Sequence, residues 1–274
     1  MLKKGYKIKL VVLLLLFFVL AQAIGSWVYS KDAVVTFFMV GQGDSALIQT
    51  QGKVVVIDGG PDNSLLRGLG ESLSYFERQI DYLIISHDHD DHVVGLVELI
   101  NRYRIQNIIY GPTIDGALIA EYFRQQAKMK NINLYQVEST AQISLGNNCN
   151  LKLLNSNYLQ IKKDENNSLT VRLSCLEGDV LFTGDNHANV EAAIIDSGWD
   201  IDVDILKAGH HGSKTSSSQD FLVGTSPDFF IISAGAGNSF GHPHQEVLDR
   251  VSAMGALIRR TDTEGSIKFR LPSS

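Results

Sequence analysis

The chain has 274 residues, 44% of them hydrophobic and 20% charged, with a formal net charge of −6. Those values describe an ordinary globular protein long enough for one large layered domain or two fused halves. The negative balance argues against a broad, non-specific nucleic-acid surface, which needs a basic excess; bound divalent ions would offset the charge locally and keep an anionic substrate open.

The N-terminus carries Lys3, Lys4, Lys7 and Lys9, then an unbroken apolar run from Leu10 to Ala21, then Ala21-Gln22-Ala23. A positive segment, a short apolar segment and an A-x-A site form an export signal. Cleavage after Ala23 is expected, with an uncleaved anchor reaching Val28 as the alternative; residues 1–28 are thus set apart from a catalytic body at 31–274. Either way that body lies outside the cytoplasmic membrane and meets it only through the N-terminal segment.

Ala33 to Val40, Ala46 to Thr50 and Val54 to Ile57 read as a β-meander with glycine turns at Gly41-Gln42-Gly43 and Gln51-Gly52. The third strand ends in Asp58-Gly59-Gly60-Pro61. Asp58 is a candidate to orient a ligand histidine from behind, the alternative being a turn-forming aspartate. Ser64 to Gln79 is predicted helical, interrupted by Gly68 and Gly70. Asp81 to Ile85 is a strand, and Val93 to about Tyr103 has helical spacing.

Between that strand and that helix stands Ser86-His87-Asp88-His89-Asp90-Asp91-His92, three imidazoles and three carboxylates in seven residues. Ligand sites gather at strand-to-helix loops of layered α/β folds. In an extended loop His87 and His89 point the same way, while Asp91 and His92, near the helix start, can face a second point. One short loop can therefore hold two metal ions. All eight histidines fall in four places: 87–92, His187, His210-His211, and His242 with His244.

Asn107 to Tyr110 is a strand, Ala117 to Lys130 an amphipathic helix and Asn133 to Val137 another strand. Near Gly146 the pattern starts over. Strands at 151–154, 169–175 and 179–183 lead to Gly184-Asp185, and a helix runs from Ala188 to Ser197. A strand at 203–207 leads to His210-His211-Gly212-Ser213-Lys214, and 219–223 is helical. A strand at 229–233 leads to His242-Pro243-His244, followed by a helix from Gln245 to Met254. Strands at 257–260 and 266–271 close the chain. Four times a strand ends and metal-competent residues begin, which suggests one site drawn from both halves. No Walker loop, G-x-S-x-G or dinucleotide fingerprint occurs. The two cysteines, Cys149 and Cys175, lack metal-type spacing and read as core or near-core thiols; one bridge between them in an oxidising compartment is the alternative.

Val40-Gly41-Gln42-Gly43-Asp44, Ile57-Asp58-Gly59-Gly60, Ser86–His92, Leu181-Phe182-Thr183-Gly184-Asp185, Lys207-Ala208-Gly209-His210-His211-Gly212-Ser213 and Gly241-His242-Pro243-His244, with Thr261-Asp262 and Gly265, span residues 33 to 271. Together they resemble the metallo-β-lactamase superfamily, and within it the periplasmic C-terminal domain of ComEC-type competence proteins. The resemblance implies an α/β fold of the αββα type: two mixed sheets face to face, helices outside, and a two-metal site on the rim. It implies that His87 and His89 bind one ion, that Asp91 and His92 bind the other, that Asp185 bridges both and that His242 closes the set. Of the catalytic group Asp91, Asp185 and His211, the last faces substrate and is placed to donate a proton to the leaving oxygen.

His210, Ser213 and Lys214 would hold substrate, a phosphate being met by backbone N–H groups, a hydroxyl and a point charge. One departure concerns Asp164-Glu165-Asn166-Asn167-Ser168, where the superfamily usually has a histidine ligand. The Asn167 carbonyl oxygen would take that place, making the site harder and weaker. Zinc is the expected metal, with manganese as the second choice. Two adjacent divalent ions ionise a shared water and neutralise charge growing on a phosphoryl or carbonyl oxygen. Asp88 or Asp90 would relay the water proton, or both are simply solvated; His187 and His244 have surface or supporting roles.

Three functions follow. The first is an exported phosphodiesterase or nuclease acting on DNA, an anionic substrate. The second is a hydrolase of a small ester such as phosphorylcholine on wall polymers. The third is a metal-binding module without turnover. The sequence leaves the oligomeric state open.

Overall fold

The computed structural model describes residues 9–20, 32–146, 148–159, 161 and 166–272. Residues 9–20 form an exposed helix, α1. Among the described residues no helix is long and apolar enough to cross a membrane. The Ala21–Ala23 segment and the interval 162–165 lie outside the described residues.

The body is two seven-stranded sheets face to face. In chain order the first sheet takes β1 (Ala33–Phe37), β2 (Ala46–Thr50), β3 (Lys53–Ile57), β4 (Gln79–Ile85), β5 (Arg104–Tyr110) and β6 (Asn133–Gln136). The second takes β7 (Thr140–Gly146), β8 (Cys149–Asn155), β9 (Leu169–Cys175), β10 (Gly178–Phe182), β11 (Ile205–Lys207), β12 (Phe229–Ile232) and β13 (Leu257–Arg260). β14 (Ile267–Leu271) returns to the first sheet. The spatial orders are β14-β1-β2-β3-β4-β5-β6 and β13-β12-β11-β10-β9-β8-β7.

Alternation explains the layers. Val35, Phe37, Ile48 and Val55 of the first sheet meet Val171, Leu173 and Val180 of the second in one inter-sheet core, because side chains two apart share a face. The opposite faces bury Leu47, Val56 and Leu83 under α2 (Ser64–Ser72), α3 (Asp90–Arg102) and α4 (Leu118–Met129). On the second sheet Leu181, Leu206 and Phe230 lie under α5 (Ala188–Asp196), α6 (Gln219–Thr225) and α7 (Gln245–Met254). A short helix α8 (Thr261–Glu264) completes the set. The result is the four-layered αββα sandwich.

Several boundaries differ from the sequence expectation. The helix predicted from Ser64 to Gln79 stops at Ser72, since Ser74–Arg78 form a turn that delivers the chain to β4. β7, unanticipated, is an edge strand with a mostly exposed or half-buried pattern and too little apolar contrast to reveal itself. Cys149 and Cys175 are not free thiols: they are disulfide-bonded, because β8 and β9 pair antiparallel with Asn150 opposite Ser174, bringing the flanking cysteines together. The bridge spans 26 residues of chain. Its reduction is expected to lower stability by about 3 kcal/mol, the loop-entropy value for that span. Urea unfolding with and without reductant checks this.

β3, β4, β5 and β6 run parallel in one sheet, and β10, β11, β12 and β13 in the other. The carboxyl ends of β3, β4, β10, β11 and β12 lead into Asp58, Ser86–His92, Thr183–Asp185, Ala208–His211 and Ser233–His244. These loops meet on one rim, as expected for the carboxyl ends of parallel strands.

Candidate metal centre

After β4 the chain bends at Ser86 and Asp88 and reaches His89, which precedes α3 in an extended conformation with φ −66° and ψ 148°. His87 and His89 project together, with His87 Nε2 2.9 Å from His89 Nδ1. Asp90 and Asp91 occupy the first turn of α3, where the helix dipole favours carboxylates. Gly95 brings α3 against the β3 loop. A Cβ there would stand 2.1 Å from the Gly59 carbonyl oxygen.

Among the described residues three groups have all ligand atoms within 4.8 Å of one another: Asp44, Asp58 and His92, behind the centre, and two facing it, His87, His89 and Asp185, and Asp91, His92, Asp185 and His211. Asp185 belongs to both of the latter. Its Oδ2 is 3.8 Å from His87 Nε2, while its Oδ1 is 3.4 Å from His92 Nε2 and 3.8 Å from His211 Nε2. His211 Nε2 is 3.1 Å from Asp91 Oδ2. A tetrahedral ion with bonds of about 2.1 Å has ligand–ligand edges of about 3.4 Å, so these separations suit a first-row divalent ion.

Two further observations test that fit. Among the described residues His92 Nε2 and Asp185 Oδ1 are buried and make no well-formed hydrogen bond, facing each other at 3.4 Å, in an interior where such groups are normally paired. The imidazoles are also aimed from behind. Asp58, buried and at φ +58°, accepts from the Ser86 backbone N–H (2.8 Å) and hydroxyl (2.7 Å), and its Oδ2 lies 2.9 Å from His92 Nδ1. Asp44 does the same for His211, with Oδ1 3.2 Å from Nδ1, and the Ser233 carbonyl is 3.1 Å from the same nitrogen. With Nδ1 facing acceptors, both rings turn Nε2 toward the centre. Lys207, buried, donates from Nζ to Asp44 Oδ2 at 2.6 Å.

Electrostatics follow the same geometry. Burial alone would lower the His92 and His211 pKa values, but Asp185 with Asp58, and Asp185 with Asp44, reverse this. His92 rises well above its ordinary value and His211 rises to about 9. Burial would raise Asp91, yet hydrogen bonding to His211 and the charges of His92 and His211 hold it down at about 2. Burial keeps His87 neutral, its pKa well below the ordinary value.

In the metal-free protein His92 and His211 therefore carry protons that an incoming cation must displace. Zinc affinity at the group of Asp91, His92, Asp185 and His211 is expected to climb with pH through about 9, with about two protons released by that ion at neutral pH. Titration calorimetry in buffers of differing ionisation enthalpy measures this. The metal-free fold has the opposite trend. The stability it draws from protonated His211 is complete below the unfolded histidine value near 6.5 and is lost as pH rises through about 9.

The remaining expected residues take these places. His242, assigned by the sequence reading to the metal set, lies outside both groups. Its Nδ1 is 3.3 Å from Gln42 Nε2, and its ring stands 5.5 Å from His210 and 6.3 Å from His211. His211, assigned to proton donation, stands among the ligand atoms. Burial and the neighbouring imidazoles push His242 down to about 4. His210 is half-buried with Nε2 3.8 Å from Asp185 Oδ2 and Nδ1 3.1 Å from His187 Nε2. Ser213 is buried, its hydroxyl accepting from Thr215 at 3.0 Å, whereas Lys214 is exposed.

Asn167 is buried and donates to Asn157 Oδ1 at 2.9 Å; its neighbour Asn166 lines the cleft. Asp88, weighed as a proton relay or a solvated side chain, is neither. It is buried and turned away from the cleft, pairing with Arg124 at 2.6 Å and accepting from the Ile114 backbone N–H at 3.0 Å. Asp90 is exposed at the cleft. Asp44, Lys207 and Arg124 received no role from the sequence. The signal for the first two was present, since both stand within motif segments, but their pairing joins positions 163 residues apart.

The Metallo-beta-lactamase superfamily profile matches residues 39–135. ComE operon protein 3 of Bacillus subtilis is 25% identical over 259 residues, covering 88% of this chain and 33% of that protein. Competence protein ComA of Neisseria gonorrhoeae is 28% identical over 245 residues, with 88% and 33% covered. The fold is also similar to the crystal structure of the metallo-beta-lactamase fold protein YhfI from Bacillus subtilis, with a TM-score of 0.61 at 11% identity, covering 87% of this chain and all of that one.

Residues 39–135 match the metallo-β-lactamase superfamily, and the chain has the fold of that superfamily. It is also similar to the curated competence relatives, spanning about a third of their length. It has the ligand atoms that could hold divalent ions on the rim where its parallel strands end.

Proposed function

We propose that this chain is an exported, two-metal phosphodiesterase that hydrolyses DNA strands. The single observation that carries the reading is the sharing of Asp185 between two ligand groups, one on each of its carboxylate oxygens. Adjacent divalent ions held there would supply an ionised water and neutralise charge on a phosphoryl group in flight. The chain's own part is to orient and to exclude. Asp58 and Asp44 lock the His92 and His211 rings, Lys207 keeps Asp44 ionised in a buried position, and His210 with Asn166 walls the cleft beside Asp185. DNA as the substrate is supported by the similarity to proteins named for competence. Export is supported by the N-terminal pattern and by the Cys149–Cys175 disulfide, since such bridges persist in oxidising compartments.

The test is degradation of a single-stranded oligonucleotide by the full chain loaded with Mn²⁺ or Zn²⁺. Turnover of the strand supports the reading. Turnover of a small phosphodiester alone overturns the DNA part and favours the second reading, a small-ester hydrolase. That reading has one observation in its favour: the described cleft lining carries Asp90, Asp91 and Asp185 and no lysine or arginine.

A further inference from the structure

Phe240 stands at the mouth of the metal cleft with 64% of its surface exposed. The cleft is open, about 540 Å³, and is lined by His89, Asp91 and Asp185, with Pro61 and Phe240 as its apolar members. The ring is not a loose tip. It stacks on His242, with centroids 5.8 Å apart and planes 25° from parallel. Asn238 staples the loop beneath it. Its Oδ1 accepts from the backbone N–H groups of Phe240 (3.1 Å) and His242 (3.0 Å), and its Nδ2 donates to the carbonyls of Gly235 (2.9 Å) and His242 (2.6 Å). Gln42 then ties the loop to the β1–β2 turn, accepting from Gly235 N–H at 3.1 Å and meeting His242 Nδ1 at 3.3 Å.

A large apolar ring held facing water, backed by a second ring and braced from two sides, is poised to receive a flat partner. The rest of the described cleft lining carries carboxylates, amides and imidazoles, with no lysine or arginine among the described residues. A substrate strand held at the metal positions through its phosphate would need a flat, apolar group to use the ring beside them. A nucleobase supplies that: it has a π-face, and base–aromatic stacking tolerates any sequence but requires an unpaired base.

We propose that Phe240, braced by His242, is a stacking platform for an unpaired nucleobase of the substrate, making single-stranded nucleic acid the preferred substrate class. This rests on the phosphodiesterase reading. The experiment compares an oligothymidylate with a strand of equal length lacking bases, using the metal-loaded full chain. The wild type is expected to favour the base-bearing strand. Phe240→Ala is expected to raise KM for that strand about fivefold or more, the low end of one base–aromatic stack, with the effect on KM rather than kcat, and to bring the two strands near parity.

Phe240→Trp is expected to restore KM, and its added indole emission is expected to be quenched by oligothymidylate. Equal KM for wild type and Phe240→Ala on the base-bearing strand overturns the platform while leaving the nuclease reading in place. Quenching in Phe240→Trp without cleavage of any strand overturns the nuclease reading and keeps the platform as a binding subsite. Neither quenching nor cleavage overturns both. The ring is largely exposed, so a folded Phe240→Ala protein is expected and a thermal melt checks it.

Discussion

Asp185→Asn is expected to reduce metal content from about two ions per chain to fewer than one and to lower phosphodiester turnover by about a thousandfold or more. The asymmetry between this residue and every other ligand is geometric. Asp185 is the member common to both groups, offering Oδ2 toward His87 and Oδ1 toward His92 and His211. An amide has the same shape but one oxygen and no charge, so one group loses a ligand atom outright and both lose the anion. The neighbouring imidazoles also lose the largest influence holding their protons, the charge of Asp185.

Asp58→Asn touches only the aim of His92, so its expected cost is smaller, about 10- to 100-fold in affinity or activity. Metal analysis by mass spectrometry after dialysis, beside initial rates on a small phosphodiester, measures both. An Asp185→Asn protein that retains its full metal complement would sink the shared-ligand account.

Arg124→Met is expected to destabilise the fold by about 3–5 kcal/mol, a fall in Tm of about 10 °C. Asp88 is buried, with its side chain 1% exposed, and its carboxylate is satisfied by Arg124 at 2.6 Å and the Ile114 N–H. Removing the guanidinium leaves an uncompensated charge in the interior, and it also takes away the cation held 5.6 Å over the Tyr110 ring. The double variant Asp88→Asn with Arg124→Met is expected to recover part of the loss, because no unpaired charge then remains. Asp88 lies between His87 and His89, so the single variant is also expected to loosen the first ligand group and weaken metal retention. Thermal melts of the two variants, with and without added zinc, separate the effects. A single variant as stable as the wild type would show that the pair contributes only what a surface bridge does.

Much of the site was legible because it is local. Seven consecutive residues between a strand and a helix carry four of the ligand positions, and side-chain alternation already aims His87 and His89 together. The same alternation points Asp88 the opposite way, toward Arg124 and away from any water proton at the centre. Asp58 was legible for a similar reason: an acid at a strand end beside glycines is short enough to reach the loop of the next parallel strand.

The division between His211 and His242 was not legible. Both follow strands of the second sheet, and each sits in a motif that suits a ligand. What separates them is the backbone of His211, at φ +55° and ψ 24°, and a carboxylate 167 residues away that orients its ring. Asn166 lines the cleft, while the Asn167 amide donates to Asn157.

By itself the sequence determined the alternating strands and periodic helices, the strand-end positions of the polar clusters and the concentration of metal-competent side chains in the His87–His92 loop. Those depend on neighbours within a few residues, where spacing dictates direction. Only the tertiary structure decided which oxygen of Asp185 serves which group, that Asp44 and Lys207 stand behind His211, that Asp88 faces the interior and that Phe240 faces the cleft. These depend on two sheets closing on each other, which brings together side chains that no local periodicity relates.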